Sequence, residues 1–154
     1  MDFDTQTTLF TNGRILTMAT EDPEYVEALV IQYGRIAFAG EVAQALAEYP
    51  EATIHDLEGF ALMPGLGEAD GLQGTRTMLE QGASVYAALR ALTTDAARAS
   101  GADEVRGSLE VAKVADLVLL SADPMAVAPE VVPDIAVVAR IRLVRATPDA
   151  DEQP

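Results

Sequence analysis

The chain contains no cysteine, no tryptophan, one histidine and one lysine. Without thiols, disulfides, thiolate nucleophiles and cysteine metal sites are excluded, and composition leaves the redox compartment unread. One histidine offers a metal one imidazole where a site needs at least three convergent ligands. Positive charge is scarce too: ten Lys and Arg stand against 25 Asp and Glu, a formal net charge of −15. Binding to phosphate backbones or anionic lipid depends on Lys and Arg clusters, so neither nucleic acid nor a membrane surface is an expected partner. No apolar run approaches the roughly 18 residues of a membrane span. The opening MDFDTQTT has neither the charge nor the apolar core of a signal peptide, so the expected location is cytoplasmic.

What is present fits one folded unit. With 154 residues and 49% apolar content the chain can bury a single core. The segments TLFTNG and RILTMA flank Asn12-Gly13, a dipeptide suited to a type I′ turn, and predict a hairpin over 7–19. EALVIQYG and RIAFAG repeat the pattern around Tyr33-Gly34. Val42, Leu46 and Tyr49 have helical spacing and stop at Pro50, so a short helix should lead into TIHDLEG and FALMPG as further strands. Leu29, Ile31, Ile36, Phe38, Leu117, Leu119, Val137 and Ile141 alternate as a half-buried sheet requires.

From Gly71 the period changes: Met78, Val85, Leu89 and Leu92 share a helical face. Two helices broken near Leu92-Thr93 are predicted, with Ser84 capping one, Thr94 or Asp95 the other, and Gly101 as a left-handed terminator. Strand signal returns in ADLVLLSA and IAVVARIRLVRA, on either side of a loop with three prolines. Strands, then helices, then strands indicate an α+β fold, mainly β. The expected domain runs over 1–146, with β segments 7–64 and 108–146 and a helical excursion 71–102. The acidic end 147–154 is expected to be a disordered tail.

The segments TLFTNGRILTM, ALVIQYGRIAFAG and HDLEGFALMPGLGEAD resemble the opening of a metal-dependent amidohydrolase, in the branch acting on exocyclic amides and formamides. LTTDAARASG and GSLEVAKVADLVLLSADPMAVAPEVVPDIAVVA resemble that family's closing segment, in the same order. The resemblance implies a composite β-sandwich built from both chain ends, with a TIM-type catalytic barrel of several hundred residues between them. Here no TIM barrel fits, because the chain passes almost at once from Leu72 to what resembles the barrel's last helix.

The resemblance also implies a metal held by two histidines one residue apart after the PG motif. The matching positions are Asp70 and Leu72. Leucine has no donor atom, and a lone carboxylate binds a divalent ion weakly. His55 reads as a structural strand residue. Glu68 and Asp70 form a carboxylate pair without a pocket, GLGEADG lacks a phosphate loop's pattern and its lysine, and Ser84, Ser100, Ser108 and Ser121 have one histidine to share. The sequence thus predicts no catalytic residue, no cofactor and no metal ligand, the positions Asp70 and Leu72 being degenerate. Two further departures from the family pattern are Ala112, where glycine is usual, and Arg142 to Val144, where a Gly-Gly turn is usual.

Two functions follow. The first is a barrel-deleted binding or assembly module without catalysis, with a possible homodimer through the helical segment and a small-molecule ligand left unnamed. The alternative is a hydrolase of non-peptide carbon–nitrogen bonds, active with a partner chain or through an unrecognised site.

Overall fold

The computed structural model describes residues 7–67 and 69–142. In chain order the elements are β1 (Thr7–Leu16), β2 (Tyr25–Gln32), β3 (Arg35–Gly40), α1 (Val42–Glu48), β4 (Thr53–Asp56) and β5 (Ala61–Pro64). Three helices follow, α2 (Thr75–Glu80), α3 (Val85–Leu92) and α4 (Thr94–Ala99), then β6 (Asp116–Leu120), a 3₁₀ helix (Pro129–Asp134) and β7 (Val137–Arg142). The fold is α+β, mainly β, without a closed barrel among the described residues. Residues 143–154, including Leu143, Val144 and the acidic tail, lie outside the described residues, as does Glu68.

All seven strands join one mixed sheet in the order β3-β2-β1-β5-β6-β7, with β4 alongside the first part of β1. Strands from the two ends of the chain meet at β5 and β6, which pair antiparallel from Ala61↔Leu120 to Pro64↔Leu117. The sheet curls, because its β3 edge bonds to the lead-in of β6: Ile36 N–H donates to the Lys113 carbonyl at 2.9 Å, Ala112 N–H to Ile36 at 2.8 Å, and Ala115 N–H to Gly34 at 2.9 Å. The composite of both chain ends is therefore one curled sheet whose far parts face each other across a core of Phe10, Ile15, Leu29, Ile31, Leu62 and Leu117. Each such fully buried side chain contributes on the order of 1.5–3 kcal/mol. On the outer face, α1 covers Leu9, Ala28 and Val30, while α3 and the 3₁₀ helix cover Leu16, Met63, Val118 and Leu120.

The two Gly-containing turn signals have different outcomes. Tyr33 (φ 55°) and Gly34 (φ 76°) form the predicted turn between β2 and β3. Asn12-Gly13 does not form a hairpin. β1 runs straight through it as one ten-residue strand, and the register against β2 jumps from Thr11↔Ala28 to Ile15↔Val26, so the dipeptide is a bulge. The reason lies on the other edge of β1, which pairs with β4 before the bulge and with β5 after it. The intervening turn crosses there: Leu57 N–H donates to Thr11 at 2.8 Å, Gly59 N–H to Asn12 at 2.9 Å, and Arg14 N–H to Phe60 at 3.0 Å. Gly13 is needed for space, since a β-carbon on it would sit 2.6 Å from Leu57 Cβ and from the Phe60 carbonyl oxygen.

Bulges also interrupt the predicted alternation. Ile31 pairs with Ile36 but Val30 with Phe38, which turns Ile36 to the inner core and Phe38 to α1. Leu119 pairs with Ala139 but Leu120 with Val137, so Val137 and Ile141 likewise face opposite sides. The helical segment has three helices where two were predicted. Gly82 (φ 98°) ends α2, with Ala83 N–H returning to the Met78 carbonyl at 3.0 Å. Ser84 caps α3 as predicted, accepting from Ala87 N–H at 3.1 Å. The next N-cap is Thr93, one residue before the predicted Thr94 or Asp95; its hydroxyl caps no amide of α4 and donates back to the Leu89 carbonyl at 2.9 Å. Val85, Leu89 and Leu92 of the predicted stripe pack on the sheet with Leu79, and Met78 stands outside that cluster.

Two substitutions test this account. Ala112 has φ 82°, a left-handed conformation that costs a β-carbon about 1 kcal/mol. Ala112→Gly should raise unfolding free energy by up to about that amount in urea titration, and an unchanged midpoint would mean that the residue is unstrained. Gly13→Ala should lower it by about 1–3 kcal/mol through overpacking against Leu57. A neutral result would mean that Asn12-Gly13 is an open turn after all.

Candidate functional site

The segment after β5 is where sequence similarity would place metal ligands, and its residues do not converge. Leu72 is fully buried among Leu16, Met63, Tyr86 and Leu89, an apolar surrounding with no use for a donor. Asp70 is exposed. No group of three or more His, Cys, Asp or Glu able to hold a metal occurs among the described residues. The donor set therefore does not fit the metal that the resemblance implies.

The loop itself is fixed from the C-terminal strands. Gly65 N–H donates to the Asp116 carbonyl at 2.8 Å, and its backbone lies against the Asp116 side chain with no room for a β-carbon. Arg142 donates to the Gly67 carbonyl at 3.2 Å and sits 3.5 Å from the Asp116 carboxylate, while Arg140 donates to the Ala69 carbonyl. Two arginines of β7 thus hold a loop that in a catalytic relative would carry ligands. Nothing in the spacing of ARIR signalled that contact, since it depends on β7 lying beside β6.

The other candidates are separate from one another. His55 lies on β4, half-buried, with its ring 5.2 Å from that of Phe10. Each serine is engaged elsewhere: Ser84 caps α3, Ser100 donates to the Ala97 carbonyl at 3.1 Å, Ser108 donates to Glu110 at 2.5 Å, and Ser121 accepts from Ala136 N–H at 3.1 Å. No serine–histidine pair forms among them. Hydrogen bonds from Ser108 and Lys113 hold the Glu110 carboxyl below its ordinary pKa.

One polar cluster escaped the sequence reading. Asp123, the only buried charged residue among those described, accepts from Tyr25 Oη at 2.6 Å, from Arg14 Nε at 3.1 Å and from Met125 N–H at 2.9 Å. The Arg14 guanidinium also lies 4.4 Å from the Tyr25 ring centroid. Asp123 in SADP signals a local turn, which its bond from Met125 N–H makes, but its side-chain partners Arg14 and Tyr25 are 109 and 98 residues away in the chain. The cluster ties β1 and β2 to the loop after β6.

A family profile described as the amidohydrolase family matches residues 55–142, more than half of the chain. No curated protein matches. Among solved structures, a metal-dependent hydrolase from Pyrococcus furiosus described as uncharacterized is similar at 31% identity over 48% of this chain and 16% of its own, with a TM-score of 0.36. An enamidase matches at 26% identity over 40% of this chain and 16% of its own (TM-score 0.34), and a D-hydantoinase at 27% over 46% and 17% (TM-score 0.30). The chain thus spans about a sixth of the length of each. No helix among the described residues is long and apolar enough to cross a membrane.

The Asp123 cluster predicts a pH effect. Burial, and then the hydrogen bond to Asp123, push the Tyr25 hydroxyl from 10.0 up to about 12. The unfolded chain therefore loses this proton first, and the contribution of Tyr25 to stability, complete below pH 10, is lost as pH rises toward 12. Denaturant titrations across that interval should show stability falling, with a shallower fall in Tyr25→Phe. Identical slopes in both proteins would remove Tyr25 from the account.

Proposed function

The chain belongs to the amidohydrolase family, and from that membership we propose that it is the family's sheet unit without the family's chemistry, a non-catalytic binding or assembly module. The observation that carries this reading is Leu72, which fills a ligand position of the resemblance with a fully buried hydrocarbon side chain. Restoring a metal there would require a polar group in the centre of the apolar cluster that joins the helices to the sheet, at a cost of several kcal/mol unless it were paired. The exposed Asp70 supplies one oxygen donor and no geometry.

A partner would have to use what remains exposed. The stripe of α3 packs on the chain's own sheet, so a homodimer through the helical segment would rest on the outward sides of α2 to α4. The second reading, a metal-dependent hydrolase of non-peptide carbon–nitrogen bonds, is favoured by the family match itself. It requires the missing donors to come from a partner chain, with Asp70 as the one contribution from this one, or the reaction to take place at a site away from the motif positions.

Elemental analysis of protein purified without chelator separates the two. The module reading predicts zinc, iron and manganese far below one equivalent per chain. One equivalent of any of them, lost in Asp70→Ala, would overturn it in favour of the hydrolase.

A further inference from the structure

Away from the degenerate loop, a cleft of about 360 Å³ opens between α3, α4, the segment leading to β6 and the end of β1. Its walls carry Arg90, Arg98, Arg106 and Lys113, four of the ten basic residues of a chain whose net charge is −15. Glu21, Asp103 and Glu110 share the lining and Asp95 pairs with Arg90 and Arg98, so four cations are matched by four carboxylates where the whole chain has far more acid than base. Four cations in one concavity of so acidic a protein make a local exception to its field. At physiological salt, charges beyond about 8 Å are largely screened, so the cleft rather than the net charge governs a bound ion.

The basic groups are not all used up internally. Lys113 is held by Glu110 at 2.9 Å and by Ser108 at 2.8 Å. Arg90 and Arg98 share one carboxylate oxygen of Asp95, at the long distances of 3.7 and 3.4 Å. A guanidinium has five N–H donors, so both retain several. Among the described residues Arg106 has no side-chain ion pair or hydrogen bond.

We propose that this cleft is a binding site for a small oxyanion, a carboxylate or phosphate group on a compact molecule, held by Arg90, Arg98 and Arg106. Planar guanidinium forks suit both anions, and the volume lies at the small-ligand end of protein pockets. The site is independent of the metal-ligand positions and does not require the module reading to hold.

Calorimetric titration at constant ionic strength, with inorganic phosphate in one arm and succinate in the other, tests it. Saturable binding in at least one arm is expected, and the responding arm identifies the anion. Arg106→Gln should weaken that binding about tenfold or more. Arg98→Gln should weaken it too, since its exposed guanidinium lines the same wall. Arg76→Gln, outside the cleft, should bind like the parent protein. Absence of saturation in both arms, parental binding by either cleft variant, or equal weakening by Arg76→Gln would overturn the proposal. Arg98 and Arg106 are both exposed, and the melting temperature of each variant separates loss of binding from unfolding.

Discussion

Four residue pairs, from Ala61 with Leu120 to Pro64 with Leu117, carry the whole architecture. β5 is buried at every position, with Leu62 facing the inner core and Ala61 and Met63 facing the helices. On its other side β5 touches β1 through two pairs only, Arg14↔Ala61 and Ile15↔Leu62. Without β6 it would be an apolar strand with an open edge, and both cores would lose a wall. The Asp123 cluster reinforces the same junction by fastening Arg14 and Tyr25 to the chain just beyond β6. Segments more than fifty residues apart are therefore interdependent, and the helical excursion between them is packed onto the result.

That dependence explains which parts of the fold were legible in the sequence. Tyr33-Gly34 and Asn12-Gly13 carry the same local turn chemistry, and local chemistry decides only the first. At Asn12 the outcome is set by Leu57 to Phe60, a turn that must cross β1 to place β4 and β5 end to end along one edge. The alternating pattern was readable in β2 and β6, where Leu29 with Ile31 and Leu117 with Leu119 do share the inner face. It failed in β3 and β7, because a bulge at Ala37 or Val138 reverses every side chain beyond it and leaves no compositional mark. The break at Leu92-Thr93 was visible in the sequence, whereas the earlier stop at Gly82 was hidden inside a continuing apolar period.

The site was legible in outline for a different reason. The family resemblance implies ligands at two positions after the PG motif, and Asp70 and Leu72 were named as the residues standing there. The loop's anchoring could not be read: Arg140 and Arg142 reach its carbonyls only because β7 is the neighbour of β6. The basic cleft was invisible for the same reason, its cations being spread from Arg90 to Lys113 with acidic residues between them.

The central claim is that the sheet joined by β5 and β6 is one cooperative unit that stands without a metal. Backbone hydrogen exchange on metal-free protein addresses it directly, because amides that open together exchange with a common free energy. The account predicts that amides of β1, β5 and β6 exchange through a single shared opening and that added zinc leaves their protection unchanged. Exchange of β6 well ahead of β1, or protection of β5 that arises only with zinc, would contradict it.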